Sequence, residues 1–230
     1  MTFRGIDPLQ GNQVQVVDLT IAPLGDITLD MTDIPWRDGA RLARQGRGAK
    51  QIDLTFVTLN DRIEELPGIL DKLNAWAYGG LGELRLYGDD ERAYEAALSG
   101  VSTLSYGIGA QVTYTFVAPS GLKYGPERSR RLTGDPIWVG GNAPTGFVLT
   151  HTLPEAAGEV VWSNGAQQLR LVGNFAAGSR FVVDAGRERV TLGDQNAMRF
   201  LTLDSRFFPL VPGNNAIRGE GDLTYKEAWL

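Results

Sequence analysis

Two stretches in the first quarter of the chain alternate apolar and polar residues with the period of a β-strand. In "VQVVDLTIAPLGDI", which starts at Val14, apolar side chains recur at nearly every second position before a Pro-Leu-Gly turn. In "KQIDLTFVTLN", Ile52, Leu54 and Phe56 share one face. Successive side chains of a strand point to opposite faces of a sheet, so we predict two strands.

A different period follows in "LNDRIEELPGILDKLNAWAYGG", which is predicted to be the helix of this region. Pro67 suits an early helical position and Gly79-Gly80 suits a stop. The apolar residues lie three or four positions apart, so they form one stripe that must be buried. This stripe consists of Leu66, Ile69, Leu70, Leu73 and Trp76.

The pattern then returns to strands. "GELRLYGDDERAYEAALSGVS" predicts a hairpin around the turn 88–91, and "AQVTYTFVAPS" predicts another alternating strand. Residues 3–118 are therefore expected to hold about six strands and one helix.

The second half contains short apolar runs that recur about every 8 to 12 residues, each bounded by Gly, Asn or Asp, which is typical of a β-sandwich or jelly roll. These runs are "TGFVLTHTL", "GEVVWS", "QQLRLVG", "SRFVVDA", "RERVTLG", "MRFLTLD", "NAIRGEG" and "DLTYKEAWL". The segment 119–136 has little apolar periodicity and is predicted to be a linker. We therefore expect a mainly β protein of two domains, 1–128 and 129–230.

One segment between the first two strands lacks any apolar period. "DIPWRDGARLARQGRGAKQ" is predicted to be a long polar loop, and loops of this length usually carry a function. Its cations are candidates for contacts with an acidic neighbouring subunit or with passing nucleic acid, whereas a solvated flexible loop stays the alternative. They are Arg37, Arg41, Arg44, Arg47 and Lys50.

Composition and charge narrow the classes of function. The net charge of -5 disfavours a surface that grips nucleic acid, and the lack of cysteine excludes disulfides and thiolate chemistry. The first residues have no apolar leader segment, so we expect a protein that is made and kept in a cytoplasm. A composition of 43% hydrophobic and 21% charged residues is that of an ordinary globular protein.

Candidate chemistry is sparse, and no catalytic residue, metal site or cofactor is predicted. The single histidine, His151, lies on the core side of a strand with Phe147 and Leu149 and is interpreted as structural. The carboxylates in "GDDERAYE" and "LDMTDIP" lie at predicted turns. A glycoside hydrolase that uses residues 89–91 would lose activity in Asp90→Asn.

The tryptophans 36, 138, 162 and 229 are interpreted mainly as packing residues, since they do not share a strand face. A lectin-like protein is the alternative function. That function would need an exposed aromatic platform, and loss of glycan binding in Trp162→Ala would favour it.

Near the C-terminus, "RFFPLVPGNNAIRGEG" combines apolar anchors with a turn. Phe207, Phe208 and Leu210 are predicted to fix a crossing between late strands. The pair Pro212-Gly213 then makes the corner, and Asn214-Asn215 tolerates an unusual backbone.

In their order, these features resemble the distal tail protein family of long-tailed bacteriophages. The resemblance rests on "KQIDLTFVTL" after the arginine-rich segment, on "ELPGILDKLNAWAYGG" followed by "GELRLYGDDERAYEAALSGV", and on "FFPLVPGNNAIRGEG". It implies a tail-tube-like N-terminal sandwich with one packed helix and a galectin-like C-terminal sandwich. It also implies a structural virion protein of the tail tip, not an enzyme.

The resemblance further implies a hexameric ring whose long loop reaches onto the neighbouring subunit. By the same resemblance, the partners are the major tail tube protein, the tail-associated tip protein and possibly a receptor-binding protein, with DNA passing through the channel and no membrane insertion. Larger relatives carry inserted carbohydrate-binding modules, and the chain has no stretch long enough to hold one.

Overall fold

The computed structural model describes residues 1–10, 14–58, 63–102, 105–107, 109–165 and 167–230. Its contacts divide the chain into two compact units, Met1–Tyr124 with Leu230, and Gly125–Trp229. In these described ranges, no helix is long and apolar enough to cross a membrane.

The first unit is built from antiparallel strands in the order β2-β5-β9-β7-β6-β1, with β8 also paired to β9. The hairpin β3–β4 pairs only within itself in the described chain. The elements are β1 (Thr2–Phe3), β2 (Val14–Ile21), β3 (Ile27–Asp33), β4 (Ala40–Arg47), β5 (Lys50–Thr58), a 3-10 turn (Ile63–Glu65), α1 (Leu66–Ala77), β6 (Gly82–Arg85), β7 (Ala93–Val101), β8 (Ser105–Gly107) and β9 (Gly109–Ala118).

The helix α1 covers the core of the first unit, as its apolar stripe predicted. Leu66, Ile69, Leu73 and Trp76 are buried, and Leu70 packs at the edge of the core. The Trp76 ring lies edge-on to the rings of Phe3, Phe56, Tyr114 and Phe116, at centroid distances of 5.7 to 6.4 Å. The predicted face of Ile52, Leu54 and Phe56 on β5 is also fully buried.

The second unit has two sheets around one core. The larger sheet runs β17-β16-β15-β12-β20-β10, the smaller runs β14-β13-β19, and β11 pairs with β18. The strands are β10 (Lys123–Arg131, which begins in the first unit), β11 (Ile137–Val139), β12 (Phe147–Thr152), β13 (Ala157–Asn164), β14 (Gln167–Phe175), β15 (Arg180–Asp184), β16 (Arg189–Leu192), β17 (Gln195–Asn196), β18 (Gly213–Asn215), β19 (Ile217–Arg218) and β20 (Asp222–Trp229).

Both sheets of the second unit contribute to this core. Trp162 and Leu169 come from the smaller sheet, and Leu149, Phe181 and Leu223 from the larger one, all in one buried cluster. Alternate residues of each strand point inward, which is how packed sheets form a sandwich core. The mainly β fold class is therefore confirmed.

The apolar anchoring predicted for the corner at 207–215 is confirmed, but the unusual backbone predicted for Asn214-Asn215 is wrong, because both residues lie in β18 and the left-handed φ of 101° belongs to Gly213. Phe208 and Leu210 are buried. The Asn215 side chain accepts a hydrogen bond from the Val211 amide (3.0 Å) and donates to the carbonyls of Val211 (2.8 Å) and Gly213 (3.1 Å). The asparagine thus closes the turn that the apolar residues anchor.

Several predictions of local structure were wrong. The described part of residues 2–118 holds nine strands, β1 to β9, where about six were expected. The polar loop of residues 37–50 contains β4, and the linker of residues 119–136 contains β10. In both cases the strand is mostly exposed, so it needs no apolar alternation and leaves no periodic signal. "MRFLTLD" holds a 3-10 turn (Met198–Phe200) in place of a strand.

Candidate subunit interface

The hairpin formed by β3 and β4, residues 27–47, is here called the arm. Every residue of β3 is exposed, as is every residue of β4 except the partly exposed Gly46. The pairing runs from Ile27 opposite Arg47 to Asp33 opposite Ala40, with an irregularity between Asp30 and Met31. Two-stranded hairpins are marginal when nothing covers them, so a hairpin of this length has a surface available for a partner.

The strand register sorts the side chains of the arm onto two faces, because paired residues share a face and neighbours along a strand alternate. One face of the arm pairs Ile27 with Arg47, Leu29 with Gln45 and Met31 with Leu42. The four large apolar residues of this face, Ile27, Leu29, Met31 and Leu42, are each 51 to 60% exposed. We call these four residues the apolar face. A monomeric soluble protein rarely exposes a contiguous apolar patch unless the patch has a function.

The opposite side of the arm is polar. Pairing places Thr32 beside Arg41 and Asp30 beside Arg44, and Thr28 lies opposite Gly46. These side chains are called the polar face, and all of them are exposed. The arm is therefore amphipathic at the period of a strand.

The tip of the arm carries a fully exposed tryptophan. Trp36 has a φ of 66°, a left-handed value that is unusual for a residue with a side chain. The Arg37 amide donates to the Ile34 carbonyl at 3.2 Å and closes the turn. The indole ring of Trp36 at the tip is thus open to solvent or to a partner.

The base of the arm is held by a cation and a close backbone approach. Arg47 Nε donates to the Ser120 carbonyl at 3.1 Å. Gly121 has a φ of 64°, and a Cβ there would lie 2.8 Å from the Gly48 carbonyl oxygen. Only glycine combines that conformation with that contact, so the base is fixed although the arm above it is open.

Lys50 follows the arm at the start of β5 and is buried, at 2% exposure. Its Nζ donates to the Pro23 carbonyl at 3.1 Å and lies 5.4 Å from the centre of the Tyr94 ring. Burial lowers the pKa of this lysine, and the nearby Lys123 and Arg47 lower it further. Its contacts stabilise its own unit.

The five predicted interface residues therefore occupy four kinds of position. Arg37 lies at the tip, Arg41 and Arg44 on the polar face, Arg47 at the base, and Lys50 inside the unit. Within the described ranges, the guanidinium groups of Arg37, Arg41 and Arg44 have no ion-pair partner.

Sequence reasoning missed the apolar face. The signal was present as the alternation of Ile27, Leu29 and Met31 in "ITLDMTD", but "ARLARQGR", with three arginines and a glycine, gave no sign of the second strand. Leu42 is the only large apolar residue of β4, so no period could be read from that strand alone.

The other candidate sites have structural partners. Asp89 accepts a bond from Lys123 Nζ at 2.8 Å, and the Asp90 carbonyl accepts one from Arg85 at 2.7 Å. These contacts fix the turn before β7. Across the residues that the structure describes, no group of three His, Asp or Glu side chains could hold a metal ion.

Trp162 cannot serve as the exposed platform that the lectin alternative required. It is 1% exposed, and its Nε1 donates to the Glu220 carbonyl at 2.8 Å. His151 stacks edge-on against it with ring centres 6.0 Å apart, on the core side of β12 as predicted. That part of the alternative was wrong because the indole belongs to the sandwich core.

Comparison with protein families and solved structures identifies the second unit by sequence. Residues 140–229 match the family described as the siphovirus-type tail component, C-terminal domain. A search of curated protein sequences gave no match.

The whole chain is similar in fold to the crystal structure of SPP1 Dit (gp 19.1), described as a paradigm of the hub adsorption apparatus in phages that infect Gram-positive bacteria. The TM-score is 0.83 at 20% identity, over 100% of this chain and 98% of that one. Two baseplate structures of phage p2, activated with Ca and with Sr, match with TM-scores of 0.46, at 11% and 10% identity, over 95% of this chain and 91% of each of theirs. The shared fold rests on the first structure alone.

Proposed function

Residues 140–229 of the chain belong to the siphovirus-type tail component family, and on that premise we propose that the protein is the hub of a phage tail tip. In this role, copies of the chain close into a hexameric ring that joins the tail tube to the tail-associated tip protein. The outer domains, within proposed limits of 129–230, anchor receptor-binding or baseplate components. The protein is a structural tail component and not an enzyme.

The observation that carries this proposal is the open apolar face of the arm. A face that cannot be covered within its own chain is covered by a neighbour, and head-to-tail contacts between identical subunits close into rings when the rotation permits. Burying the exposed half of each apolar-face side chain contributes roughly 1 kcal/mol. Each subunit contributes one arm and binds the arm of a neighbour. The ring therefore gains this free energy of burial at every subunit contact.

Charged side chains of the arm would fix the orientation of the apolar contact between subunits. The chain has a net charge of -5, so a neighbouring copy offers more carboxylates than cations. Arg37, Arg41 and Arg44 can pair with them bidentately, which favours one register over others. Arg47 fixes the base of the arm through the Ser120 carbonyl, and Lys50 lies inside the unit beneath it.

In the proposed virion the ring lies at the tail tip, after assembly in the host cytoplasm. DNA passes through the channel, and the net negative charge is consistent with a lining that does not retain it. The N-terminal domain, within proposed limits of 1–128, forms the ring because it carries the arm.

The test is the mass of the purified chain by light scattering, with negative-stain images of the same fraction. We expect a ring of six subunits with a central hole. The paired change Leu29→Ser with Leu42→Ser is expected to leave monomers, whereas Thr28→Ser with Thr32→Ala on the polar face keeps the ring.

Two results would count against parts of this proposal. If the apolar-face variant forms the same ring as the unaltered chain, the arm does not make the contact. If Arg41, Arg44 and Arg47 are all changed to Ala and assembly is unchanged, the arginines have no part in it.

A further inference from the structure

A cleft in the second unit lies at the end of β12, far along the chain from the arm. Its volume is about 440 Å³, within the range of small-molecule sites. The lining residues come from the end of β10, from the end of β12 and from the turn before β20; they are Arg131, Leu132, Thr150, His151, Thr152, Pro154, Glu220, Gly221 and Asp222.

The histidine in this cleft lacks a hydrogen-bond partner. His151 is 9% exposed, yet within the described ranges its imidazole forms no hydrogen bond. Neither ring nitrogen is a fully enclosed unsatisfied atom, so each keeps some accessible surface, and His151 is one of the residues that line the cleft. A buried polar group is normally paired, and an imidazole held at a cleft without a partner is available to a ligand.

The surroundings hold this imidazole in place. Its ring packs edge-on against Trp162, with an angle of 82° between the planes. Trp162 in turn is tied to the Glu220 carbonyl, and the Leu132 amide donates to the Gly221 carbonyl at 2.9 Å. The three segments that line the cleft are therefore fixed to one another, and the site is formed before a ligand arrives.

The charges around the cleft select the class of ligand. Arg131 is the one cation, and Glu220 and Asp222 are two carboxylates, all of them exposed. Two carboxylates disfavour an anion, and the guanidinium disfavours a cation. A ligand made of hydroxyl groups suits both, since each hydroxyl can donate to a carboxylate and accept from a guanidinium or an imidazole.

We propose that this cleft binds one neutral sugar unit of a saccharide, with His151 as a hydrogen-bonding contact. Leu132 and Pro154 supply apolar surface for the C–H groups of a sugar ring, in place of an exposed aromatic platform. The site goes beyond the ring-forming function and does not depend on it, because all its residues lie in the second unit.

The test uses the single histidine of the chain as a probe. The imidazole signals of His151 are followed by NMR while the full chain is titrated with glucose, galactose, N-acetylglucosamine and N-acetylgalactosamine at millimolar concentrations. We expect at least one of these to shift the His151 signals with a saturable curve. Ligand-detected saturation transfer reports the same binding without the histidine signal.

Matched variants place the binding in the cleft. His151→Phe keeps a ring against Trp162 but removes the hydrogen-bonding nitrogens, and we expect about a tenfold loss of affinity. Asp222→Asn is expected to weaken binding as well, whereas Glu188→Gln, on the turn between β15 and β16, leaves it unchanged. Thermal unfolding of each variant verifies that the second unit is folded.

Two outcomes would overturn the proposal. One is that none of the four sugars moves the His151 signals. The other is that a bound sugar keeps its affinity in both folded variants, His151→Phe and Asp222→Asn. Ring assembly is measured separately, so either outcome leaves the function of the arm untouched.

Discussion

The arm and the hairpin of β13 and β14 are both antiparallel ribbons with one apolar and one polar side, but they differ in what covers the apolar side. In the β13–β14 hairpin, Val160 pairs with Leu171 and Trp162 with Leu169, and all four are buried in the sandwich core. In the arm the corresponding row is open. The same pattern thus serves folding in one unit and, in our proposal, association in the other.

The outer sides of the two hairpins differ as well. On the β13–β14 hairpin, Glu159 and Arg170 form a two-point ion pair with distances of 2.7 and 3.1 Å. On the arm, Arg41 and Arg44 have no such partner within the described chain. The β13–β14 hairpin thus satisfies its own charges, whereas in our proposal the cations of the arm pair with a neighbouring subunit.

The largest expected contrast concerns the tryptophans of the two hairpins. Trp162→Ala removes a buried indole and its hydrogen bond, so we expect the free energy of unfolding to fall by about 3–5 kcal/mol. Trp36→Ala removes a fully exposed ring and is expected to change it by less than about 0.5 kcal/mol. Urea unfolding of the monomeric chain measures both; equal losses would mean that the tip of the arm is packed within its own chain.

Alkaline pH is expected to act on the covered core of the first unit. Burial raises the pKa of Tyr114 to about 12, and its hydroxyl donates to Asn74 Oδ1 of α1 at 2.8 Å. The unfolded chain loses this proton near pH 10 and the folded chain only near pH 12, so stability is complete below pH 10 and is lost as the pH rises. The full loss is about 2.7 kcal/mol.

The measurement for Tyr114 is the free energy of unfolding from pH 8 to 12 for the unaltered chain and for Tyr114→Phe. Their difference cancels the contribution of other groups, including Lys50, whose lowered pKa has the opposite sign. Parallel profiles would show that Tyr114 is not the group concerned.

Glycines at the base and at the tip separate the fixed part of the arm from the open part. Gly121→Ala brings a Cβ against the Gly48 carbonyl in a left-handed backbone, so we expect a loss of about 2 kcal/mol. Gly39 also has a left-handed backbone, but a Cβ there meets nothing within 4 Å. For Gly39→Ala we therefore expect the free energy of unfolding to fall by about 1 kcal/mol. The melting temperatures of the two variants test this prediction. A larger loss of stability in Gly39→Ala than in Gly121→Ala would be inconsistent with an open arm.

The smallest effect is expected for the ion pair on the covered hairpin. Glu159 and Arg170 are exposed, so water and salt screen their attraction. Their contact lowers the pKa of Glu159 through the hydrogen bond from Arg170. Glu159→Gln is therefore expected to be nearly neutral, and any difference from the unaltered chain should vanish in high salt; a large loss that persists there would show that the pair is shielded.

The sequence predicted the parts of the fold that bury one face inside their own unit. Leu73 and Trp76 on α1 and Leu54 on β5 follow strict periods because each faces a core. The arm was missed because only β3 alternates, whereas β4 packs on no core and has a single large apolar residue, Leu42. The exposed β10, with Glu127, Arg128, Arg130 and Arg131, was missed in the same way.

The candidate site was predictable only in part. The arginines marked the right segment, but the two faces depend on the register, which skips a residue of β4 beside Asp30 and Met31. No local signal fixes such an irregularity. The position of Lys50 inside the core, above the ring of Tyr94, required the three-dimensional contact as well.

The most direct test of the central claim measures how the two faces of the arm are covered on assembly. The chain has no cysteine, so the variants Leu42→Cys and Arg44→Cys each carry one thiol, on the apolar and the polar face. Thiol labelling rates are compared between the assembled ring and dilute monomers. The account predicts strong protection of the thiol in Leu42→Cys on assembly and much weaker protection in Arg44→Cys. Equal rates for Leu42→Cys in ring and monomer would contradict it.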